Sequence, residues 1–133
     1  MSGNKYDNYF VKEPLGKEGF FPRIIANGAK DFNGAEFSLR VHYITESGIL
    51  VKEPHSHDFE QFYFFCNGDF GKYTEFDAEV EFSLGEECEM HLINRPTAVH
   101  VPIGVIHGPM NFKRIDKPII FIDTLLSAQY TTQ

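Results

Sequence analysis

Short runs of alternating side chains, each closed by a turn signal, govern what this chain can become. From Glu36 to Thr45, the residues Phe37, Leu39, Val41 and Tyr43 alternate with Ser38, Arg40, His42 and Ile44. From Ala78 to Leu84, Val80, Phe82 and Leu84 oppose Glu79, Glu81 and Ser83, and Gly85 closes the run. A period of two sends successive side chains to opposite faces, so each run predicts a two-faced strand. Gln61 to Cys66 reads Gln-Phe-Tyr-Phe-Phe-Cys, apolar on both faces, which predicts a strand covered on both sides. If Gln61 faces the interior, Tyr63 and Phe65 share its face, while Phe62 and Phe64 point outward to a second sheet or a subunit. Glu87 to Ile93, Thr97 to Val101, His107 to Lys113 and Pro118 to Leu125 read as further strands. Phe20 to Ile25 reads as a short edge strand, because Pro22 has no N–H to give a ladder. No stretch sustains a helical period over three turns, and many short strands at regular spacing mean a sandwich or a barrel.

The chain has 133 residues, room for one domain with a sizeable core. Residues 1–35 divide off as an N-terminal arm with an edge strand, 36–126 as a β-barrel, and 127–133 as a polar, mobile tail. The arm carries Tyr6, Tyr9 and Phe10 as isolated rings for docking. With 14 Phe and 6 Tyr, many rings must be buried or must meet a partner. A net charge of −7 argues against nucleic acid or an anionic membrane surface as partner. Met1 to Tyr9 is polar, unlike a secretory signal, and no apolar run is long enough to span a bilayer, so a cytoplasmic home is expected. Cys66 and Cys88 stand apart, outside any C-x-x-C pattern, and read as small buried hydrophobes without a chemical role.

Glu46-Ser47-Gly48 turns the chain, and Ile49 to His57 predicts a strand that carries two histidines at its end. On an extended backbone His55 and His57 project the same way, roughly 6 to 7 Å apart. That spacing suits two ligands of one ion. Imidazole accepts divalent iron, nickel, copper, zinc or manganese, and a third histidine with an oxygen donor would complete the set.

At these residues the chain resembles the cupins, whose first motif is H-x-H, three or four residues, Glu, six residues, Gly. Here His55 and His57 fill the pair, Gln61 stands where Glu is expected, and Gly68 follows. The second cupin motif, P-x-G-x-x-H-x-x-x-N, is met by Pro102, Gly104, His107 and Asn111. Three positions depart from the family pattern: Ile49 and Pro96 replace glycines that often open the motifs, and Gln61 replaces a carboxylate. The resemblance covers about residues 36 to 124. It implies an all-β, double-stranded β-helix (jelly-roll) barrel with one divalent transition metal inside. By the same resemblance His55, His57 and His107 are its ligands, and Gln61 is the candidate fourth; Glu60 joins the site only if a turn at Asp58-Phe59 brings it inward.

Three imidazoles and a neutral amide would leave the ion its full charge, a Lewis-acid centre suited to substrates that chelate through a carboxylate, an enediol or adjacent oxygens. Tyr63 and Phe65 are expected to wall a dry pocket, with Tyr63 as a donor or acid–base group. Arg40 and His42 share a strand face: if it is internal they join the pocket and Arg40 grips a carboxylate, and if external they are solvated residues. His91 and His100 read as structural or surface histidines. The expected function is a metal-dependent enzyme of dioxygenase or lyase/isomerase type acting on a small chelating molecule. The alternative is a metal-bearing binding or sensing module without turnover. A DNA-reading regulator is disfavoured, because cupins of that kind carry an added helical domain. The outward Phe62 and Phe64, with the ring-bearing arm, predict a homodimer.

Overall fold

The structure, a computed structural model, describes residues 5–16 and 22–129. The first residues of the expected arm, the residues before Pro22 that open the expected edge strand and the end of the tail lie outside the described residues.

Ten strands form two antiparallel sheets. In chain order they are β1 (Leu15–Gly16), β2 (Arg23–Asn27), β3 (Ser38–Ile44), β4 (Gly48–Val51), β5 (Gln61–Asn67), β6 (Ala78–Leu84), β7 (Glu89–Ile93), β8 (Thr97–Val101), β9 (His107–Ile115) and β10 (Ile119–Leu125). One sheet has the order β1-β2-β3-β10-β5-β8 and the other β4-β9-β6-β7. Neighbours in space are often distant in sequence, as a jelly roll requires. The sheets face one another as a sandwich; no continuous hydrogen-bonded ladder among the described residues closes them into one barrel. The expected all-β jelly roll is thus present, with its wall made of two layers. The one α-helix among the described residues, α1 (Gly28–Asp31), is a single turn between β2 and β3, and the Asn27 side chain caps it by accepting from the Lys30 N–H.

Between the sheets lies a core of rings. Phe65, Phe82, Phe112 and Phe121 are each at most 1% exposed, joined by Tyr63, Ile44, Met110 and Ile119. Tyr63 meets Phe82 edge-on at 5.4 Å, and Phe65 packs on Phe121 at 4.9 Å. These are the offset and edge-to-face geometries that aromatic quadrupoles favour. As the alternation in β5 implies, Gln61, Tyr63 and Phe65 are buried while Phe64 is exposed.

The orientation of β3 runs against intuition. Its more polar set faces inward: Ser38, His42 and Ile44 are buried and Arg40 half-buried, whereas Phe37 and Tyr43 are exposed. The conditional reading of Arg40 and His42 therefore resolves to the internal case. Its cause lies in β10, where Asp123 is the cross-strand partner of Arg40 and receives its guanidinium.

Two further details differ from the sequence reading. The strand expected from Ile49 to His57 ends at Val51, ahead of Pro54, and His55 rejoins a ladder only by a single bridge to His107. Cys88 is exposed and Cys66 half-buried, both as free thiols, so neither is the buried hydrophobe expected. Cys88 sits at the close of the turn between β6 and β7, where neither sheet covers it.

The motif glycines have backbone reasons. At Gly68 a Cβ would stand 2.7 Å from the Pro118 carbonyl oxygen, which accepts the Gly68 N–H at 3.0 Å. Gly104 has φ +78 in the turn before β9, a conformation other residues resist. Near the tail, Ser127 and Ala128 are tied down by the Ser38 hydroxyl and the Ala29 N–H, so the described part of the tail is anchored.

Candidate metal centre

Backbone pairing brings the two histidine motifs together. His55 N–H donates to His107 O at 3.0 Å, His107 N–H to His55 O at 2.8 Å, and Gly104 N–H to His57 O at 2.9 Å. Three main-chain bonds therefore knit the 55–57 segment to the turn that opens β9. Once the chains are paired there, the side chains need only short reach. The three rings lie 4.4 to 5.1 Å apart between centroids, and one ring nitrogen from each of His55, His57 and His107 falls within 4.8 Å of the others. Such convergence of three imidazoles fits one divalent transition metal ion.

The rings are also oriented for the task. His107 Nδ1 lies 3.1 Å from Val105 O, and His55 Nδ1 lies 3.1 Å from Glu53 O. A carbonyl oxygen only accepts, so each Nδ1 must carry the proton and each Nε2 the lone pair. Both contacts reach the carbonyl two residues back, which is a local device repeated in the two motifs. His57 is held differently, its ring stacked on the buried Phe59 at 4.7 Å and 10°. His107 has no exposed surface, and its Nε2 has no hydrogen-bond partner among the described residues. A buried polar atom without a partner is uncommon, and this one sits in the cluster of ring nitrogens that could hold an ion. Burial first, and then repulsion from His55 and His57, hold the His107 pKa down at about 4 against the lift from the Val105 carbonyl. The ring is therefore neutral at pH 7, the state a metal requires.

Gln61 is buried on the inner face of β5, 1% exposed. Its Nε2 donates to Asp123 Oδ1 at 2.7 Å, and its Oε1 is buried without a hydrogen-bond partner among the described residues. Glu60 turns the other way, where His100 Nε2 meets its carboxylate at 2.6 Å. Of the two neighbours, only Gln61 is inside. His91 meets Glu89 at the surface, so both extra histidines contact exposed carboxylates, apart from the triad.

A cavity of about 120 Å³ lies between the sheets, lined by Arg40, His42, Tyr63 and Asp123 with Leu50, Val51 and Phe121. Tyr63 links it to the metal centre, since its ring stands 6.3 Å from that of His107. His42 stacks on Phe121 at 5.3 Å, and burial, with the charges of Arg40 and Arg23 adding, lowers its pKa to about 4. Phe65 does not line this cavity; it backs the site from the core. Asp123 had no signal of its own in the sequence, because an acidic residue within an apolar strand discloses a partner only once β3 and β5 are seen to flank it.

No protein-family model matches the chain, and no curated protein matches it in sequence. Solved structures do resemble it. Oxalate decarboxylase from Bacillus subtilis superposes with a TM-score of 0.59 at 8% identity, covering 88% of this chain and 28% of that one. The formate complex of Lactobacillus farciminis oxalate decarboxylase gives 0.61 at 14% identity, covering 90% and 32%. The chain thus spans about a third or less of the length of these neighbours, and the likeness is one of fold. Those neighbours are cupin-fold proteins. In its fold this chain is similar to those cupin-fold structures, and its two motifs bring three histidines together as the sequence resemblance implies.

Proposed function

We propose that the chain is a metal-dependent enzyme acting on a small carboxylate-bearing molecule that chelates the ion, of lyase type ahead of isomerase or dioxygenase type. The observation that carries this reading is the triad with a small cavity beside it, into whose wall Arg40, His42, Tyr63 and Asp123 bring polar groups. His55, His57 and His107 would hold the ion, with Gln61 Oε1 as the fourth donor. When bound, the ion supplies Lewis-acid polarisation of the coordinated oxygens.

The remaining work falls to the cavity wall. A volume of about 120 Å³ has room for roughly a handful of heavy atoms, since one water takes about 30 Å³ of liquid volume. The ligand must therefore be small. Arg40, held on Asp123 by a 2.7 Å ion pair, places a positive charge where a substrate carboxylate would enter. His42, neutral at pH 7, presents a buried Nδ1 with no hydrogen-bond partner among the described residues, a group able to bond a bound acid. Tyr63, whose ring stands 6.3 Å from that of His107, supplies a hydroxyl for donation or proton transfer. The neighbours are named as oxalate decarboxylases, one described by its Mn(II) centres, so Mn(II) and oxalate-like acids are the first ion and ligands to try. The free thiols of Cys66 and Cys88 suit a reducing, cytoplasmic setting.

The test is metal quantification after Mn(II) loading, followed by thermal shift and product analysis with small mono- and dicarboxylates. One ion per chain, a rise in Tm with a dicarboxylate and release of a one-carbon product are expected. A folded chain that retains no metal would overturn the reading, and binding without turnover would make it a sensing module.

We propose also that the working form is a homodimer through the outer face of the larger sheet. Cross-strand register aligns Leu15, Ile24, Val41, Ile122, Phe64 and Ala98 in one apolar row across six strands. Leu15, Ile24 and Phe64 are 66%, 44% and 42% exposed, and an apolar groove of about 430 Å³ runs along part of the same face. A flat apolar row is self-complementary, which suits a second copy related by a twofold axis.

A further inference from the structure

We propose that Asp123 is a positioning residue: clamped by Arg40, it fixes the Gln61 amide so that the oxygen, not the nitrogen, is offered to the metal centre. This rests on the metal-site reading above and goes beyond it, because it assigns a role to a side chain that ligates nothing.

The need for such a residue follows from the chemistry of an amide. The two ends of Gln61 are nearly the same size, so packing alone cannot choose between them. One end is a ligand and the other, an NH2 group, repels a cation. A carboxylate in the same place would have no wrong end. Replacing Glu by Gln therefore creates a problem of orientation, which the fold answers with three residues on adjacent strands. Asp123 on β10 is paired with Tyr63 on β5, while Gln61 is paired with Leu125, so Asp123 and Gln61 are diagonal neighbours on one face. Arg40 on β3 is the direct cross-strand partner of Asp123.

Each oxygen of Asp123 is spoken for. Oδ1 accepts from Gln61 Nε2 at 2.7 Å, and Oδ2 accepts from Arg40 Nη2 at 2.7 Å. Two donors converging on one side chain require two acceptors, and an ionised Asp is the residue of that size that has them. With the NH2 end thus engaged, Oε1 is the end left over, buried and without a hydrogen-bond partner among the described residues. Donation from the NH2 group to a carboxylate also shifts electron density toward the amide oxygen, making it a better ligand. The negative charge missing from the ligand position stands one hydrogen bond behind it, neutralised in turn by Arg40.

The experiment compares wild type, Asp123→Asn and the double variant Gln61→Glu with Asp123→Asn. Mn(II) binding is read from the loss of the free-ion paramagnetic resonance signal, and folding from circular dichroism and thermal unfolding. Asparagine puts an NH2 group where one carboxylate oxygen of Asp123 now accepts, opposing a donor with a donor, so Asp123→Asn releases the amide, and Mn(II) affinity should fall by about 10- to 100-fold. In the double variant the introduced asparagine accepts from Arg40 and donates to the introduced carboxylate on β5, which has no wrong end, so affinity should return to the wild-type level or exceed it. If Asp123 only braced Arg40 within the sheets, Asp123→Asn would lower Tm and leave the Mn(II) affinity of the folded protein unchanged. Unchanged affinity in Asp123→Asn, or a double variant as weak as the single, would overturn the inference while leaving the triad standing. Failure of both variants to fold would assign Asp123 to the sheet rather than the ligand and would also overturn it. Wild-type protein that takes up no Mn(II) would remove the metal-site reading, and this inference with it.

Discussion

A histidine with no exposed surface is stable only when its ring stays neutral or meets a charge that justifies burial. His107 and His42 illustrate both sides of that rule. In metal-free protein both are held at about 4, chiefly by burial, against an ordinary value of 6.5. Above pH 6.5 neither state of the chain protonates them. As the pH falls from 6.5 toward 4, the unfolded chain takes up protons that the fold refuses, so stability declines with falling pH. At about 1.4 kcal/mol per unit, each ring can remove up to about 3 kcal/mol across that window. Asp123 works in the opposite direction: burial raises its carboxyl, against Arg40 and Gln61, so its stabilising share is largest below the ordinary carboxylate value and is lost as the pH rises through its own. Urea midpoints of metal-free protein at pH 7, 5.5 and 4.5 should decline in that order, and His42→Leu should flatten the slope by about half. A second residue-scale prediction concerns the ligands. His107→Ala should lower Mn(II) affinity by more than about 100-fold, beyond what changes behind a ligand usually cost, with the loss read by equilibrium titration.

At the scale of elements, the site depends on where strands stop. β4 ends at Val51 and β9 begins at His107, and the bridge between His55 and His107 spans the interval left between them. The histidine-bearing segment is therefore anchored by main-chain bonds without lying inside a regular ladder. At the far end of β5, Gly68 lets the chain pass against Pro118, just before β10 begins. Gly68→Ala would force a Cβ to within 2.7 Å of that carbonyl oxygen and 2.9 Å of the Tyr43 ring. It should destabilise the protein by about 1 to 3 kcal/mol in chemical denaturation, by overpacking, with metal stoichiometry in the folded fraction unchanged. β3 shows the limit of pattern reading. Its alternation discloses two faces and nothing about which is inside, because an inward Arg40 is tolerable only with Asp123 opposite it, and β10 lies far along the chain.

For the molecule as a whole, the apolar outer face is the feature that predicts behaviour in solution. Phe64 is an exposed ring on the fifth of the six strands that the apolar row crosses, so a charge there would be pressed against the apolar face of the second copy. Light scattering should report a dimer for wild type and a monomer for Phe64→Lys, with metal binding retained, since Phe64 points away from the triad. A wild-type monomer at high concentration would contradict the assembly. Among the described residues no helix is long and apolar enough to cross a membrane.

What could be read without coordinates was whatever depends on neighbours in sequence. The two-residue period of β5 and β6, the common face of Gln61, Tyr63 and Phe65, and the spacing of His55, His57 and His107 within their motifs are all local, since strand geometry and turn chemistry act over a few residues. What required the folded chain was every choice between equal alternatives. The face of β3 turned inward, the outward course of Glu60 to His100, the exposure of Cys88 and the end of the Gln61 amide turned to Asp123 each depend on a contact between strands far apart in the chain. Periodicity specifies that two faces exist, and only long-range pairing between β3, β10 and β5 decides which of them holds the chemistry.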